Sequence, residues 1–326
     1  MKVASIGMGW WSDVLADAIK RSGEMKIGAC YSRSQDKREK FAAKYGCKAA
    51  HSFEEILDDR SIEALINTTP NGVHLETTLA AARAGKATFL EKPIANTVAD
   101  GRAITEACRA AKVVLALGYQ RRRESQFRWI KQHIGEFGRM VNAEANISRD
   151  RLGKVDACSW RLTEEGMPGG VMLQIGIHYT DVLEYLVGPI KAATGQFVRL
   201  VLPGEVPDVA SLILEHENGA LSTVNASYAS ASEYYLMNIY GKEASAYYDP
   251  ENGLRFLKRG SAKSKPVPCA KNDPLVEELE EFARAVRGEV EPEMDGARAT
   301  RSLAVILAGV ESARRGRRVE VEEMLK

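Results

Sequence analysis

Two side chains have the type and setting for proton chemistry. Lys92 stands in Glu91-Lys92-Pro93, directly after a short apolar run. Desolvation beside a fixed turn lowers an ammonium pKa toward neutrality. The other reading of Lys92 is a structural ion pair with Glu91. His178 lies in the stretch from Gly169 to Asp181, which reads as the start of a helix. Gln174 and His178 are four apart and share a helical face, with Asp181 three further on. An imidazole titrates at about 6.5 when unperturbed, a suitable range for a general base. A lone histidine is more often a packing residue, but the double glycine Gly169-Gly170 leaves room for a ligand to approach.

Such groups could oxidise a secondary alcohol if a hydride acceptor were held nearby, and the N-terminus supplies the means. Gly7-Met8-Gly9-Trp10-Trp11-Ser12 places a G-x-G-x-x-S loop between an apolar run and a helical pattern. Gly7 permits the tight turn, and Gly9 lets the backbone approach a pyrophosphate at a helix N-terminus. Ser12 replaces the usual third glycine or alanine and is small enough for helix–strand packing. Trp10 and Trp11 join the cofactor contacts. After the second strand comes Tyr31-Ser32-Arg33-Ser34, with no acidic residue between Glu24 and Asp36. An acidic residue there would bind a ribose 2′-hydroxyl. Ser32 and Arg33 suit a 2′-phosphate instead, so NADP is expected in preference to NAD. Arg33 stacked on the adenine, or as a solvated residue, is the alternative.

These loops need a frame. Strand-like runs at 3–6, 25–30, 64–67, 88–90 and 113–117 alternate with helical patterns ending near 22 and at 34–45, 74–84 and 98–111. Ser52 and Glu55 make a capping box ahead of Ile56 and Leu57. Alternation with short connections implies a parallel sheet covered on both faces. Thr69-Pro70-Asn71 with His74, and Glu91-Lys92-Pro93, then fall at the carboxyl ends of strands, where open α/β sheets bind ligands. After Gly118 the rhythm changes. Runs at 139–148, 192–202, 209–216, 220–228, 235–240, 245–248 and 254–257 read as strands, with Asn218-Gly219 as a hairpin turn. Helical patterns at 274–286 and 297–314 follow. The expected fold is α/β: a Rossmann domain over 1–120, then an α+β domain over 121–326 with a large, mostly antiparallel open sheet. A face of that sheet without helices calls for a second subunit.

At 326 residues two domains are expected. The 45 Lys and Arg against 44 Asp and Glu leave a net charge of +1, which recommends neither nucleic acid nor an anionic membrane as partner. No apolar run approaches a membrane span, and no signal peptide is evident. The five cysteines, at 30, 47, 108, 158 and 269, form no metal-binding spacing. Reduced thiols in the cytoplasm and no metal site are the expectation. The run Arg121-Arg122-Arg123 reads as a solvated face, with Arg122 alone a candidate for the cleft. Tyr234 and Tyr235 line a pocket or belong to the sheet.

Together these segments resemble the Gfo/Idh/MocA oxidoreductases, named for glucose–fructose oxidoreductase and inositol dehydrogenase. The likeness covers nearly the whole chain: the glycine loop, Thr69-Pro70-Asn71 with His74, Glu91-Lys92-Pro93, Gly118-Tyr119-Gln120 with Arg122, Trp160-Arg161, Gly169-Gly170 with Gly176 and His178, and Asp295-Gly296. The resemblance implies an NAD(P)-dependent dehydrogenase acting on a sugar, cyclic polyol or related diol, and a homodimer or homotetramer formed through the second sheet. It implies Lys92 and His178 as catalytic residues, His178 as acid/base and Lys92 as electrostatic partner, or the reverse. Many family dehydrogenases carry an aspartate four residues before the histidine. Gln174 stands there; it cannot ionise but can hydrogen-bond a substrate hydroxyl. Asn71, His74, Glu91 and Gln120 are candidate cofactor contacts, and Trp160 and Arg161 candidate substrate contacts. Two other functions fit less well: redox-assisted glycoside hydrolysis or isomerisation on a tightly held NAD, and non-catalytic dinucleotide binding.

Overall fold

The computed structural model describes residues 1–154, 156 and 158–326. The chain forms two compact units: Met1–Gln120 with Asp273–Thr300, and Arg121–Asn272 with Arg301–Lys326.

The first unit begins with β1 (Lys2–Ile6), α1 (Trp10–Ser22), β2 (Lys26–Tyr31), α2 (Gln35–Tyr45), β3 (Lys48–Ala49) and α3 (Phe53–Asp58). It continues with β4 (Ala64–Asn67), α4 (His74–Arg83), β5 (Ala87–Glu91), α5 (Val98–Ala111) and β6 (Leu115–Gly118). The strands lie in the order β3-β2-β1-β4-β5-β6, and every pair is parallel. All residues of β4, β5 and β6 are buried, as strands covered on both faces must be. Strand order reverses between β1 and β4. The crevice beyond their carboxyl ends is the topological switch point of this fold. Ser52 Oγ accepts from Glu55 N at 3.1 Å, as a capping residue should, but the Glu55 carboxylate reaches back to His51 N instead of Ser52.

The second unit holds α6 (Ser125–Gln132), β7 (Met140–Asp150), α7 (Ile177–Val187), β8 (Ile190–Val198), β9 (Val209–His216) and β10 (Leu221–Ser227). β11 (Ala229–Gly241), β12 (Ala244–Asp249), β13 (Gly253–Lys258) and β14 (Lys265–Pro266) follow. α8 (Pro274–Val286) belongs to the first unit, and α9 (Gly296–Arg315) begins there. β15 (Val319–Glu320) and α10 (Val321–Met324) close the chain. The nine strands run β14-β13-β12-β11-β7-β10-β9-β8-β15. Only the β7–β10 pair is parallel among them. The Asn218-Gly219 turn joins β9 to β10 as an antiparallel hairpin, with Gly219 at φ +86°.

Two expectations change. Residues 273–300, assigned by sequence to the second domain, pack with the first unit. Leu279, Phe282 and Ala283 of α8 enter the same core as Leu15, Ile19 and Phe89, with the Phe89 and Phe282 rings 5.7 Å apart. The apolar stripe of α8 needs that cover. The strand expected over 192–202 ends at Val198. Beyond it, the amides of Leu200, Val201 and Leu202 donate to the Asp208 carboxylate at 2.7–2.9 Å. A side chain there takes the bonds a strand partner would take. No helix among the described residues is long and apolar enough to cross a membrane.

Candidate active site

In the first unit the site grows from the meeting of two loops. Gly7 has φ +86°. A Cβ on it would lie 2.6 Å from Thr68 C and Thr69 N, so only glycine lets the loop after β1 lie against the loop after β4. Gly7 N donates to Tyr31 O at 3.1 Å, and the Thr68 hydroxyl donates to Ile6 O and Gly7 O. Gly9 caps α1 with no side-chain hydrogen bond, and a Cβ on it would meet nothing within 4 Å. Open space before the free amides of a helix N-terminus fits the pyrophosphate of a dinucleotide. Ser12 is buried and its hydroxyl donates to Gly9 O at 2.6 Å. The serine thus braces the loop that the usual glycine or alanine only packs against. Trp10 is exposed and meets half-buried Trp11 edge-on at 5.0 Å.

At the end of β2, Ser32 is half-buried and Arg33 exposed. Arg38, one turn into α2, donates to Ser32 O at 3.1 Å. Sequence reading passed over Arg38, since nothing in helical spacing shows that it turns back to the strand end.

The loops after β4 and β5 are tied together. Asn67 Oδ1 accepts from Thr69 N at 3.1 Å and Thr69 Oγ1 at 2.7 Å. Asn71 is buried and donates to Asn96 Oδ1 at 3.1 Å. His74, expected at the cofactor, is wholly buried instead. Its Nδ1 lies 3.0 Å from Pro93 O and its Nε2 2.9 Å from Thr69 O. Burial holds its pKa below the ordinary value, against the pull of those carbonyls. The ring is a clamp between Thr69 and Pro93, with no surface exposed.

Lys92 is half-buried and joined to Pro93 by a cis peptide. Its N–H donates to Glu91 Oε2 at 3.2 Å. Glu91 is buried, and Oε1 has no hydrogen-bond partner; nor does the buried Trp11 Nε1. Burial raises the Glu91 carboxyl to about 7, outweighing the Trp11 indole and the Lys92 charge, which favour ionisation. A Cβ on Gly118 would stand 2.7 Å from Glu91 Oε1, so this glycine makes room for the carboxyl. Gln120 is half-buried, with Oε1 shut from solvent and unbonded.

In the second unit the expected helix start is a π-helical turn, Met172–Gly176, running into α7. Gln174 is half-buried on it and His178 is 6% exposed in the first turn of α7. Such turns re-aim side chains and occur often at functional sites. The double glycine serves the chain itself: a Cβ on Gly170 would stand 2.2 Å from Pro207 O, and one on Gly169 2.8 Å from Val310 Cγ2. Ligand approach is therefore not what it provides. Asp181 is not a free acid, because Arg122 grips both its oxygens, Nε to Oδ2 at 3.0 Å. The arginine run is not a solvated face either. Arg122 and Arg123 are buried, and Arg121 pairs with Glu124 at 2.9 Å. Tyr235 lies on β11 opposite Ile147, and Tyr234, 37% exposed, opposite Ser148. Trp160 is half-buried beneath the exposed Arg161 guanidinium, 4.3 Å from the ring centre. Among the described residues no group of three or more His, Cys, Asp or Glu could hold a metal ion.

Comparison with known proteins places these features. Residues 1–119 match a family model described as an oxidoreductase family with an NAD-binding Rossmann fold, and 127–247 match the GFO/IDH/MocA C-terminal domain. The chain is 27% identical to 1,5-anhydro-D-fructose reductase of Ensifer adhaerens, over 94% of this chain and 93% of that one. It is 30% identical to D-apiose dehydrogenase of Paraburkholderia graminis, over 75% and 69% respectively. The crystal structure of a candidate NADPH-dependent oxidoreductase from Desulfitobacterium hafniense aligns with a TM-score of 0.93 at 30% identity, covering 100% of this chain and 99% of that one.

Two variants separate the roles of the loop glycines. Gly9→Ala should fold as the parent does, with a Tm within about 2 °C, and lose about tenfold or more in NADPH affinity. Gly7→Ala should lose about 1–3 kcal/mol of stability through backbone strain. Thermal unfolding and NADPH fluorescence titration read both; undiminished NADPH binding by Gly9→Ala would remove the cradle from the site. Glu91 gives a pH signature. The folded chain keeps its proton to about pH 7, against 4.5 ordinarily. Between those values the folded state binds more protons than the unfolded one, so stability falls as pH rises through the window and levels off above it. Glu91→Gln should therefore gain up to about 3 kcal/mol over the parent near pH 8 and little near pH 4. Urea titrations at both pH values check this, and an equal difference at both would show a carboxyl that folds ionised.

Proposed function

Because the chain belongs to the GFO/IDH/MocA oxidoreductase family, we propose that it moves a hydride between NADP and a secondary alcohol or ketone of a sugar, cyclic polyol or related cyclic diol. It is an NAD(P)-dependent oxidoreductase. The observation that carries the proposal is the open cradle at Gly9, at the switch point of a parallel sheet whose β5 ends at Glu91, with Lys92 next.

Bound there, the dinucleotide supplies the hydride acceptor or donor. The chain's residues supply the rest. Gly7, Gly9, Trp10 and Trp11 hold the phosphates, with Thr69, Pro70, Asn71 and Gln120 as further contacts. Ser32 and Arg33 meet the 2′-phosphate, and the exposure of Arg33 leaves its guanidinium available. His178 takes the proton from the alcohol oxygen during oxidation. Lys92 stabilises negative charge on that oxygen. Gln174 donates to or accepts from a neighbouring hydroxyl, and Trp160 and Arg161 complete the substrate contacts. Asp181 does not compete as base, since Arg122 holds its carboxylate.

We also propose that a second copy covers the open face of the second sheet. Ile213 and Leu221 are 52% and 50% exposed there. Thr194, Ile213, Thr223, Glu144 and Asn238 are paired across five adjacent strands. This polar and aliphatic face suits a subunit interface. Light scattering should give a dimer or tetramer, and Ile213→Glu should shift it toward monomer; a monomeric parent at micromolar concentration would end the proposal.

Lys92→Met should lower turnover by about a thousandfold and His178→Gln by about a hundredfold or more, with NADPH affinity within about twofold of the parent. NADPH should bind about tenfold more tightly than NADH, and Arg33→Ala should erase most of that difference. Steady-state rates in a sugar and polyol screen, with fluorescence titrations of both cofactors, decide these points. Retained turnover in either variant would sink its catalytic role, and tighter NADH binding would reverse the cofactor preference.

A further inference from the structure

Among the described residues, three arginines of the second unit, Arg149, Arg151 and Arg161, form no ion pair. β7 ends in Arg149 and Asp150, with Arg151 next. Alternate strand residues share a face, so Arg149 lies on the side of the buried Ala143, Ala145 and Ile147. α7, which carries His178, packs against β7. Tyr228 follows β10, two residues beyond Ala226. The π turn that carries Gln174 presses on Ala226: a Cβ on Gly176 would lie 3.5 Å from the Ala226 Cβ.

Three guanidiniums gather about Tyr228. Arg151 N donates to Tyr228 O at 3.0 Å, and its guanidinium carbon stands 5.9 Å from the ring centre. Arg149 donates to the Tyr235 hydroxyl at 3.1 Å. Arg161 stacks on Trp160. All three act electrostatically on the Tyr228 phenol, and Arg151 acts on Arg161. Tyr228 is 7% exposed, and its hydroxyl makes no hydrogen bond among the described residues.

The nearby carboxylates are committed elsewhere. Asp150 pairs with Lys154 at 2.9 Å, Glu233 accepts from Tyr235 at 3.0 Å, and Asp208 takes three backbone amides. Among the described residues none forms an ion pair with Arg149, Arg151 or Arg161. Arg122, Arg121, Arg259 and Arg301 of the same unit each reach a carboxylate. Like charges held together around one tyrosine are stabilised by an incoming oxyanion, which arginine binds in bidentate fashion.

We propose that Arg149, Arg151, Arg161 and Tyr228 form a receptor for an oxyanion on the substrate, so that the substrate is a sugar acid or sugar phosphate. The proposal rests on the dehydrogenase function above and narrows its substrate class. A carboxylate and a phosphate share the chemistry that this cluster reads, and so does the diphosphate of the cofactor.

Calorimetric titration separates these sources. The NADPH-loaded protein is titrated with D-glucuronate, D-glucose 6-phosphate and D-glucose. At least one anion should bind about 10- to 100-fold more tightly than glucose, as charge-assisted hydrogen bonds provide. Arg151→Gln and Arg161→Gln should each remove most of that advantage and leave NADPH affinity within about twofold. Arg151→Lys, which keeps the charge and the fold, should retain part of it. Equal binding of glucose and both anions overturns the receptor. So does loss of NADPH affinity in the arginine variants with the anion advantage intact, which would assign these arginines to the cofactor. Binding is read without turnover. Anion preference in a protein that oxidises no alcohol would uphold the receptor and sink only the dehydrogenase function.

Discussion

The contact of Gly7 with the backbone of Thr68 and Thr69 sets the geometry of the first unit's site. It exists only because residue 7 has no Cβ and a positive φ. It joins the loops after β1 and β4, the two strands on either side of the reversal in strand order. From there the constraint passes along the chain. Asn67 fixes Thr69, and the His74 ring links Thr69 O to Pro93 O. Pro93 follows Lys92. A glycine turn and a buried imidazole thus hold the end of β5 in register with the cradle at Gly9, though neither presents a reactive group.

The second unit uses a different device. Its sheet is a platform, buried on one face by alternation along β9 and β10. The chain crosses the buried face as a π turn before α7. The bidentate Arg122–Asp181 pair, both partners nearly inaccessible, is attached to that helix. A buried pair of this kind adds little net stability over an apolar one, yet losing one partner costs about 3–5 kcal/mol. Its value is in fixing one arrangement: Asp181 cannot swing to the face of His178 while Arg122 holds it.

Much of this was legible. Strand and helix positions in the first 118 residues follow from apolar runs and spacing, because a doubly covered parallel sheet writes its burial directly into the sequence. The glycine loop, Glu91-Lys92-Pro93 and the Gln174–His178 spacing stood out as candidates for the same reason: each sets particular residue types in fixed order. What stayed hidden depends on contacts distant in sequence. Nothing in 274–286 shows that its apolar stripe will pack with Leu15 and Phe89. The glycines at 169 and 170 looked like space for a ligand because the occupant of that space, Pro207, lies far along the chain. His74 looked like a ligand contact because a sequence records the presence of a ring and not the carbonyls that take its nitrogens. The end of β8 was misplaced because Asp208 supplies a competing acceptor.

The ionisable groups show the same division between residues that build the site and residues left to act. His74 is desolvated between the carbonyls of Thr69 and Pro93, and burial holds its pKa below the ordinary value. Asp181 is held by Arg122, and Arg121 by Glu124. Glu184 is raised to about 7 by burial, against the pull of the Ile190 amide, Arg301 and Arg122. Glu91 is raised by burial to a similar value beside Lys92. A carboxyl that titrates near neutrality changes the field on its neighbour over the physiological range, whereas a fully ionised one would act as a constant countercharge. The charge felt by the Lys92 side chain is therefore set in part by whether Glu91 carries its own proton. That coupling arises from burial by Gly118, Trp11 and β6, and it links the packing at the end of β5 to the electrostatics of the residue that follows it.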